Sequence, residues 1–331
     1  MTTVSVIIPN YNHARFLEMR IGSVLAQTFQ DFELILLDDC STDDSRRVLE
    51  GYRNHPRVSQ VLYNEQNSGS PFRQWRKGIE AARGEYIWIA ESDDYADPVL
   101  LERLVAQFAG NARLNVAYCQ SWYVNAEGRV VGAWAFPGRS NAFLNDFVEE
   151  GTVFVQHYMS IVNAIPNASA VVFRKTAYLQ TPPADATFRL TGDWLTWINL
   201  LRTGQVAYVA LPLNYFRTHT HNVRLTSEKS GLYLTETSRI MQYIAGSTRP
   251  SPEMVSRMIW YFLDLWLLHL RRHNLPFAVS VHVYRRLKSI DGGINRRILK
   301  KIARSPGQVL GVLPGLLKSA VPGRGNANHS A

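Results

Sequence analysis

The chain has 331 residues, of which 46% are apolar and 19% are charged. This composition is ordinary for a folded globular protein, and the length is sufficient for one large domain or two. A disulfide-stabilised scaffold is excluded, because Cys40 and Cys119 are the only cysteines. Two isolated cysteines also fit no metal-binding spacing, so we expect a reducing, cytoplasmic environment.

Charge is distributed unevenly along the chain. Residues 1–150 carry 14 basic and 20 acidic side chains, whereas residues 151–331 carry 22 basic and 7 acidic ones. This asymmetry predicts an anionic partner for the C-terminal part. No nucleic-acid-binding motif accompanies the charge, which favours a membrane face as that partner. No apolar run is long enough for a transmembrane helix, and the N-terminus leads directly into a predicted strand without a signal peptide.

Strands and helices alternate through the first 120 residues. Short apolar and β-branched runs predict strands, and apolar positions at helical spacing predict helices. The predicted strands are Val4–Ile8, Leu34–Leu37, Val58–Tyr63 and Tyr86–Ala90. The predicted helices start after Asn12 as N-cap, cover Arg46–Tyr52, and cover Phe72–Ala82 with a C-cap at Arg83-Gly84. This pattern indicates an α/β fold, Rossmann-like, with a mainly parallel sheet flanked by helices.

The later part of the chain is less regular. Short predicted strands at Val116–Gln120, Ala170–Phe173 and Val206–Val209 are interspersed with helices, and the sequence becomes mainly helical after Leu225. We therefore predict two domains, a catalytic domain over 1–225 and a basic, mainly helical region over 226–331. Its last residues, from Gly323 onward, are expected to be disordered.

Three carboxylates directly follow the fourth predicted strand, in Glu91-Ser92-Asp93-Asp94. Because ligands bind at the carboxyl ends of parallel strands, this motif should meet Pro9–Asn12 and Asp38-Asp39 at one edge of the sheet. Clustered carboxylates repel one another unless a cation lies between them. Oxygen ligands of this kind suit Mg²⁺ or Mn²⁺, which often carry a substrate phosphate. A solvated acidic turn before the next helix is the alternative for the tetrapeptide alone.

These motifs, taken with others, resemble those of a known family. The stretches that carry the resemblance are Ser5–Asn12, Ser23–Phe29, Leu37–Asp44, Ala81–Ile87 and Glu91–Asp94. In this order and spacing they resemble family-2 glycosyltransferases of the GT-A fold, which act with inversion and are common in bacterial polysaccharide assembly. The resemblance covers roughly residues 3–225 and leaves the basic helical extension outside it.

The resemblance implies a site for a nucleotide-sugar donor. Matching positions assign Pro9 and Tyr11 to the base pocket, and Asp39 to a hydrogen bond from the base. The other donor-binding residues that it implies are Asn12, Arg73, Asp93 and Arg217. The family's usual glycine after the aspartate pair is Cys40 here.

The resemblance also implies a divalent metal, Mg²⁺ or Mn²⁺, that bridges the donor diphosphate. Asp94 matches its ligand, and Asp93 shares the metal or contacts the ribose. His219, in an Arg-x-His pattern with Arg217, is the further ligand, with His221 as a spare. A structural histidine is the alternative at this position.

Asp193 matches the family's catalytic base, which would deprotonate the acceptor hydroxyl. It opens a predicted helix, so an N-cap role is the alternative. Many relatives carry Glu immediately before this aspartate, but this chain has Gly192. Asp193 therefore has no acidic neighbour that would raise its pKa.

The sequence thus predicts an inverting, metal-dependent glycosyltransferase for cell-surface polysaccharide assembly. Its expected partners are a nucleotide-diphosphate sugar, a glycan or lipid-linked glycan acceptor, and an anionic membrane surface, with no nucleic acid. The expected location is the cytoplasm, peripheral to the inner membrane face. A sugar nucleotidyltransferase is the alternative enzyme, but the chain has no Gly-rich loop after its first strand. A non-catalytic nucleotide-sugar-binding scaffold is the alternative of a different class.

Overall fold

A computed structural model describes residues 2–136, 141–182, 187–218, 230–273 and 275–304. Contacts divide the chain into two compact units, Met1–Thr220 (unit 1) and His221–Ala331 (unit 2). No helix within the described ranges is both long enough and apolar enough to cross a lipid bilayer.

A ten-stranded mixed sheet forms the centre of unit 1. The strands are β1 (Val4–Asn10), β2 (Phe32–Asp38), β3 (Val58–Tyr63), β4 (Tyr86–Ile89), β5 (Tyr95–Ala96), β6 (Leu114–Val124), β7 (Val130–Ala133), β8 (Phe147–Glu150), β9 (Val171–Arg174) and β10 (Gln205–Arg217). Their order is β3-β2-β1-β4-β9-β6-β10-β5, with β7 beside β6 and β8 beside β10. The first four strands of this order are parallel to one another, whereas β9 is antiparallel to both of its neighbours.

Helices pack beside this sheet because their apolar positions recur at helical spacing. They are α1 (Ala14–Leu25), α2 (Ser45–Tyr52), α3 (Pro71–Ala81), α4 (Leu100–Ala106), α5 (Gly151–Phe154), α6 (Lys175–Leu179) and α7 (Gly192–Leu201). The apolar residues of α1 and α4 join β1, β2 and β4 in one buried cluster. Strands β1, β2 and β4 are themselves buried along their whole length, as expected for parallel strands covered on both faces.

Two predicted helix caps are wrong. Helix α1 starts at Ala14 with His13 at the N-cap position. The side chain of Asn12 instead accepts a hydrogen bond from the Thr42 backbone N–H at 2.7 Å. Gly84 is not a left-handed C-cap, and its backbone N–H donates to Ser5 Oγ at 2.8 Å. A Cβ at Gly84 would lie 2.5 Å from the Ser5 nitrogen, so close approach to β1 explains this glycine.

Cys40 adopts the left-handed backbone conformation, with φ of 62°. This region is disfavoured for residues with a Cβ and is readily adopted by glycine. The Sγ atom compensates weakly, through a contact of 3.5 Å with the Glu65 carbonyl oxygen. The position therefore suits glycine, and Cys40 stores backbone strain.

The substitution Cys40→Gly should raise the free energy of unfolding by roughly 0.5–1 kcal/mol, because it relieves the left-handed strain. Chemical denaturation in urea measures this change. Cys40→Ala is the matched control, because it removes the thiol and keeps the Cβ at positive φ. An equal gain in both variants would show that the thiol, and not the backbone, is responsible.

Unit 2 is helical over its described residues. Its helices are α8 (Leu232–Ser247), α9 (Pro252–Arg272), α10 (Phe277–Ile290) and α11 (Ile294–Arg304). Helix α9 starts with Pro252 in its first turn and with Ser251 as N-cap, whose hydroxyl accepts from the Met254 N–H at 3.2 Å. Residues 305–331, including the end predicted to be disordered, lie outside the described residues, and the predicted basic helical region over 226–331 stays a prediction.

Candidate active site

The carboxyl ends of β1, β2 and β4 lie at one edge of the sheet. Asn10 pairs in register with Asp38, and Ile7 pairs with Ile89, so the polar residues that follow each strand start at neighbouring positions. The predicted meeting of these strand ends is therefore observed. Such an edge is where parallel α/β sheets bind ligands.

Asp38 connects the β1 and β2 loops. Its carboxylate accepts hydrogen bonds from Asn10 Nδ2 at 2.8 Å and from the Ser41 hydroxyl at 2.6 Å. It also accepts from the Ser41 backbone N–H at 3.0 Å. These bonds fix the loop that carries Tyr11, whose side chain is 46% exposed at the sheet edge.

Asp39 is buried and accepts several hydrogen bonds from the segment before α3 and from α3 itself. The donors are Asn64 Nδ2 at 2.6 Å, the Ser68 backbone N–H at 2.8 Å, the Ser68 hydroxyl at 2.7 Å and Gln74 Nε2 at 2.9 Å. Three of these donors share Oδ1, and the Ser68 hydroxyl uses Oδ2. Asp39 therefore orders the loop between β3 and α3, and its hydrogen bond to a nucleobase stays a prediction.

Asp94 is the most buried acid of the motif, with 1% of its surface exposed. Its Oδ1 accepts from the Arg217 backbone N–H at 2.8 Å, and its Oδ2 accepts from Asn167 Nδ2 at 3.1 Å. Burial, followed by the charge of Asp93, raises its pKa to about 7. The carboxyl is thus oriented by β10 and by the segment before β9, while its charge is disfavoured.

Glu91 is held from two sides. Its Oε1 accepts a hydrogen bond of 2.8 Å from Trp75 Nε1, and its backbone N–H donates to Ser169 Oγ at 3.0 Å. Burial and then the charge of Asp93 raise its pKa to about 8. Glu91 and Asp94 therefore form a pair of carboxyls that resist ionisation unless positive charge is brought to them.

Arg20 supplies one positive charge beneath the acidic motif. Its side chain is fully buried, and its guanidinium carbon lies 5.1 Å from the centre of the Trp88 ring. No hydrogen-bond partner among the described residues satisfies its three side-chain nitrogens. Burial lowers its pKa to about 10, although Asp94, Glu91 and Asp93 all favour its charged form. Arg20 thus offsets part of the charge at the end of β4 without bonding to any one acid.

Asp193 lies in the first turn of α7, one residue after Gly192 at the helix start. Asn163 Nδ2 donates to its Oδ2 at 2.9 Å, and the carboxyl is half-buried. A Cβ at Gly192 would lie 2.5 Å from the Phe72 ring, which explains why this chain has no Glu there. Thr191 occupies the N-cap position, so the alternative N-cap role of Asp193 is wrong.

A row of aromatic rings links Asp193 to Glu91. Phe72, which packs against Gly192, lies 5.2 Å between ring centres from Trp75. The Trp75 indole donates to Glu91, and its ring also packs against Trp197 of α7 at 5.9 Å. Helix α3 therefore positions the start of α7 against the acidic strand end.

The remaining predicted site residues are placed differently. Pro9 is buried within β1, and Asn12 and Arg73 are exposed, with Arg73 Nη1 donating to the Ser68 carbonyl at 3.0 Å. Arg217 is 1% exposed, and its guanidinium donates to the carbonyl oxygens of Asp93, Asn125 and Ala126 at 2.7–3.0 Å. Arg217 thus anchors the motif backbone, and its phosphate contact stays a prediction. His219 lies outside the described residues.

Several residues of this site escaped the sequence interpretation. They are Arg20, Asn163 and His13, whose Nδ1 lies 2.8 Å from Ser92 Oγ. Arg20 carries a recognisable signal, because a charged residue sits on the face of α1 that also presents Leu17 and Val24. The polar segment before β9 carries a weaker sequence signal.

The donor chemistry of the acidic motif fits a hard divalent cation that also carries a phosphate. Within the described ranges, no three His, Cys, Asp or Glu side chains are grouped to hold a metal ion. Mg²⁺ typically takes only one or two carboxylates and completes its shell with water and substrate phosphates. Asp93 and Asp94 match that smaller requirement, since together they supply two carboxylates.

The central sheet and its flanking helices form a fold of the GT-A type. A crystal structure of residues 1–349 of S. aureus TarS in complex with UDP-GlcNAc matches with a TM-score of 0.65 at 17% identity, over 95% of this chain and 89% of that one. Residues 5–163 match the family described as Glycosyl transferase family 2.

Curated bacterial relatives agree with this assignment. The putative teichuronic acid biosynthesis glycosyltransferase TuaG of Bacillus subtilis is 28% identical over 207 residues, which are 62% of this chain and 74% of that protein. An uncharacterized glycosyltransferase of Nostoc is 39% identical over 107 residues, and the Escherichia coli chondroitin synthase is 33% identical over 129. The matches cover 32% and 18% of those two proteins, a third or less of their length.

Glu91→Gln should stabilise the protein at pH 8 in the presence of a chelator, and should have little effect near pH 4. A carboxyl whose pKa is raised by folding contributes its stability below its unfolded pKa of 4.5 and loses it as pH rises toward 8. Glutamine keeps the acceptor for Trp75 Nε1 and carries no charge. The expected gain at pH 8 is roughly 4 kcal/mol in urea denaturation.

The exposed Glu65 provides the matched control for this measurement. Glu65→Gln removes the same charge from the surface and should leave the pH profile of stability unchanged. A Glu91→Gln variant whose stability follows the wild-type pH profile would contradict the raised pKa.

Proposed function

We propose that unit 1 transfers a glycosyl group from a nucleotide-diphosphate sugar to an acceptor hydroxyl, with inversion at the anomeric carbon. One observation carries this proposal: helix α3 joins the acidic strand end to Asp193 through Trp75 and Phe72. A site for leaving-group charge and a candidate base are thereby held in one packed assembly. The match of residues 5–163 to Glycosyl transferase family 2 supports the same reaction class.

The donor is proposed to bind along the strand ends of β1, β2 and β4. Tyr11 is exposed on a loop that Asp38 fixes, so its ring is available to stack on a base. The solved TarS structures contain UDP-GlcNAc or UDP. UDP-GlcNAc is therefore the first donor to test for this chain.

Asp93 and Asp94 are proposed to hold Mg²⁺ or Mn²⁺, with His219 as the further ligand. When bound, the metal would neutralise charge that develops on the departing nucleoside diphosphate. The chain's own contribution is the orientation of Asp94 by Asn167 Nδ2 and by the Arg217 backbone. The buried Arg20 limits the repulsion among the acids before any ligand arrives.

Asp193 is proposed to be the general base. Its carboxylate accepts the proton of the acceptor hydroxyl, while that oxygen forms a bond to the anomeric carbon and the bond to the phosphate oxygen breaks. Attack from the face opposite the leaving group inverts the configuration. The hydrogen bond from Asn163 fixes the carboxyl plane, so the base needs little reorganisation.

The acceptor is proposed to be a glycan or a lipid-linked glycan of a cell-surface polysaccharide. Relatives whose names specify teichuronic acid, chondroitin and poly(ribitol-phosphate) support this class of acceptor. A lipid-linked acceptor would place the protein at the inner membrane face, which agrees with the positive charge of residues 151–331.

Asp94→Asn should remove most of the Mn²⁺-dependent gain in affinity for UDP, because the neutral amide is a poor ligand for a hard cation. Titration calorimetry with UDP, with and without Mn²⁺, measures this effect, and we expect a loss of at least about tenfold in the Mn²⁺ arm. Asp44→Asn, at an exposed aspartate before α2, is the control. Tight binding of UDP that is indifferent to Mn²⁺ in the wild type would contradict the metal role.

Asp193→Asn should lower kcat for sugar transfer by about 10²–10⁴-fold and leave UDP affinity within about twofold, because it removes the base and keeps the fold. The assay compares UDP release with calorimetric UDP binding in the same preparations. Retained turnover would refute the base assignment. A wild-type protein that binds UDP-GlcNAc and neither transfers nor hydrolyses it would instead support a binding scaffold.

A further inference from the structure

Unit 2 contains a basic cavity between α9 and α11. Its volume is about 360 Å³, and Trp260 and Asp291 line it together with four cations, Arg296, Arg297, Lys300 and Arg304. Asp291 is already neutralised, because its carboxylate accepts from Arg297 Nε at 2.5 Å and from the Gly293 N–H at 2.8 Å. The cavity therefore has a strong surplus of positive charge.

The walls of this cavity are fixed by contacts within unit 2. Arg297 Nη1 donates to Ser256 Oγ of α9 at 2.7 Å, and Lys301 pairs with Asp264. The guanidinium carbons of Arg297 and Arg304 lie 5.9 and 5.8 Å from the Trp260 ring centre. Helix α11 is thus held against α9 by its inner residues, and its outer residues are left to face away.

Three of the four cations that line the cavity form one row on α11. They are Arg296, Lys300 and Arg304, which recur every fourth residue. All three are exposed, and no carboxylate within the described ranges pairs with them. Phosphate is the anion that best matches several converging basic donors. The row and the cavity together suit a phosphate group approaching from outside.

Apolar side chains lie beside this basic row. Leu299 is 66% exposed and Ile302 is 38% exposed, and their spacing of three residues places them on one strip of α11. The buried Ile294 lies on the inner face of the same helix. An outward surface that combines a row of cations with exposed Leu and Ile is typical of helices that lie in a lipid interface.

We propose that this cavity binds the phosphate of an anionic lipid headgroup, with α11 lying flat on the membrane surface. The cations contact headgroup phosphates, and Leu299 and Ile302 contact the acyl boundary. Nucleic acid also offers phosphates, but it provides no apolar phase for these two side chains. The proposal is independent of sugar transfer, because it concerns unit 2 alone.

Co-sedimentation of the full chain with lipid vesicles tests the proposal. Wild-type protein should bind vesicles of phosphatidylcholine with about 30% phosphatidylglycerol, and should bind pure phosphatidylcholine far more weakly. The double variant Lys300→Gln/Arg304→Gln should lose roughly 30-fold in vesicle affinity, from two interfacial charges. The matched control is Arg47→Gln/Arg129→Gln, which removes two charges from arginines of 76% and 78% side-chain exposure in unit 1.

Leu299→Gln separates a lipid site from a simple phosphate site. It should weaken vesicle binding about tenfold or less while leaving the binding of inorganic phosphate, measured by calorimetry, unchanged. Vesicle affinity that Leu299→Gln does not change would overturn the lipid assignment. The lipid assignment would also be overturned if wild-type protein did not bind the anionic vesicles, or if the Arg47→Gln/Arg129→Gln control lost an equal amount of vesicle affinity.

Discussion

Mutual repulsion of carboxylates at the end of β4 is the constraint around which unit 1 is arranged. Glu91, Asp93 and Asp94 follow one another within four residues, and burial raises the pKa of Glu91 and Asp94. The charge of Arg20 and hydrogen-bond donors from Trp75 and Asn167 offset part of this repulsion. A buried guanidinium without hydrogen bonds is costly in isolation, so its presence here reflects the charge above it.

The two aspartates at the end of β2 show how neighbouring identical residues can have separate roles. Asp38 bonds backward to the β1 loop, whereas Asp39 bonds forward to the segment between β3 and α3. Together they tie three strand ends into one frame. The surface that faces a ligand is consequently set by fixed loops, and the proposed donor site requires little ordering upon binding.

The sequence predicts the alternating strands, the parallel sheet edge and the acidic motif, because buried strands and strand-end carboxylates leave local patterns. The helix caps that it predicts at Asn12 and Gly84 are wrong, because contacts with residues distant in the chain determine the roles of these two residues. The Asn12 side chain accepts a hydrogen bond from the Thr42 N–H, and the missing Cβ of Gly84 allows close approach of β1. Likewise, Arg20 shares a face of α1 with Leu17 and Val24, but only the fold shows that Arg20 and Trp75 lie against the same acids.

The contact between Gly192 and Phe72 has a consequence for the evolution and engineering of this site. Since a Cβ at position 192 would overlap the Phe72 ring, neither side chain can be enlarged alone. Phe72 also supports Trp75, so a smaller residue there would loosen the partner of Glu91. Adding an acid before Asp193 therefore demands a coordinated exchange on α3 and α7, which makes the two positions a covarying pair that sequence comparison should detect.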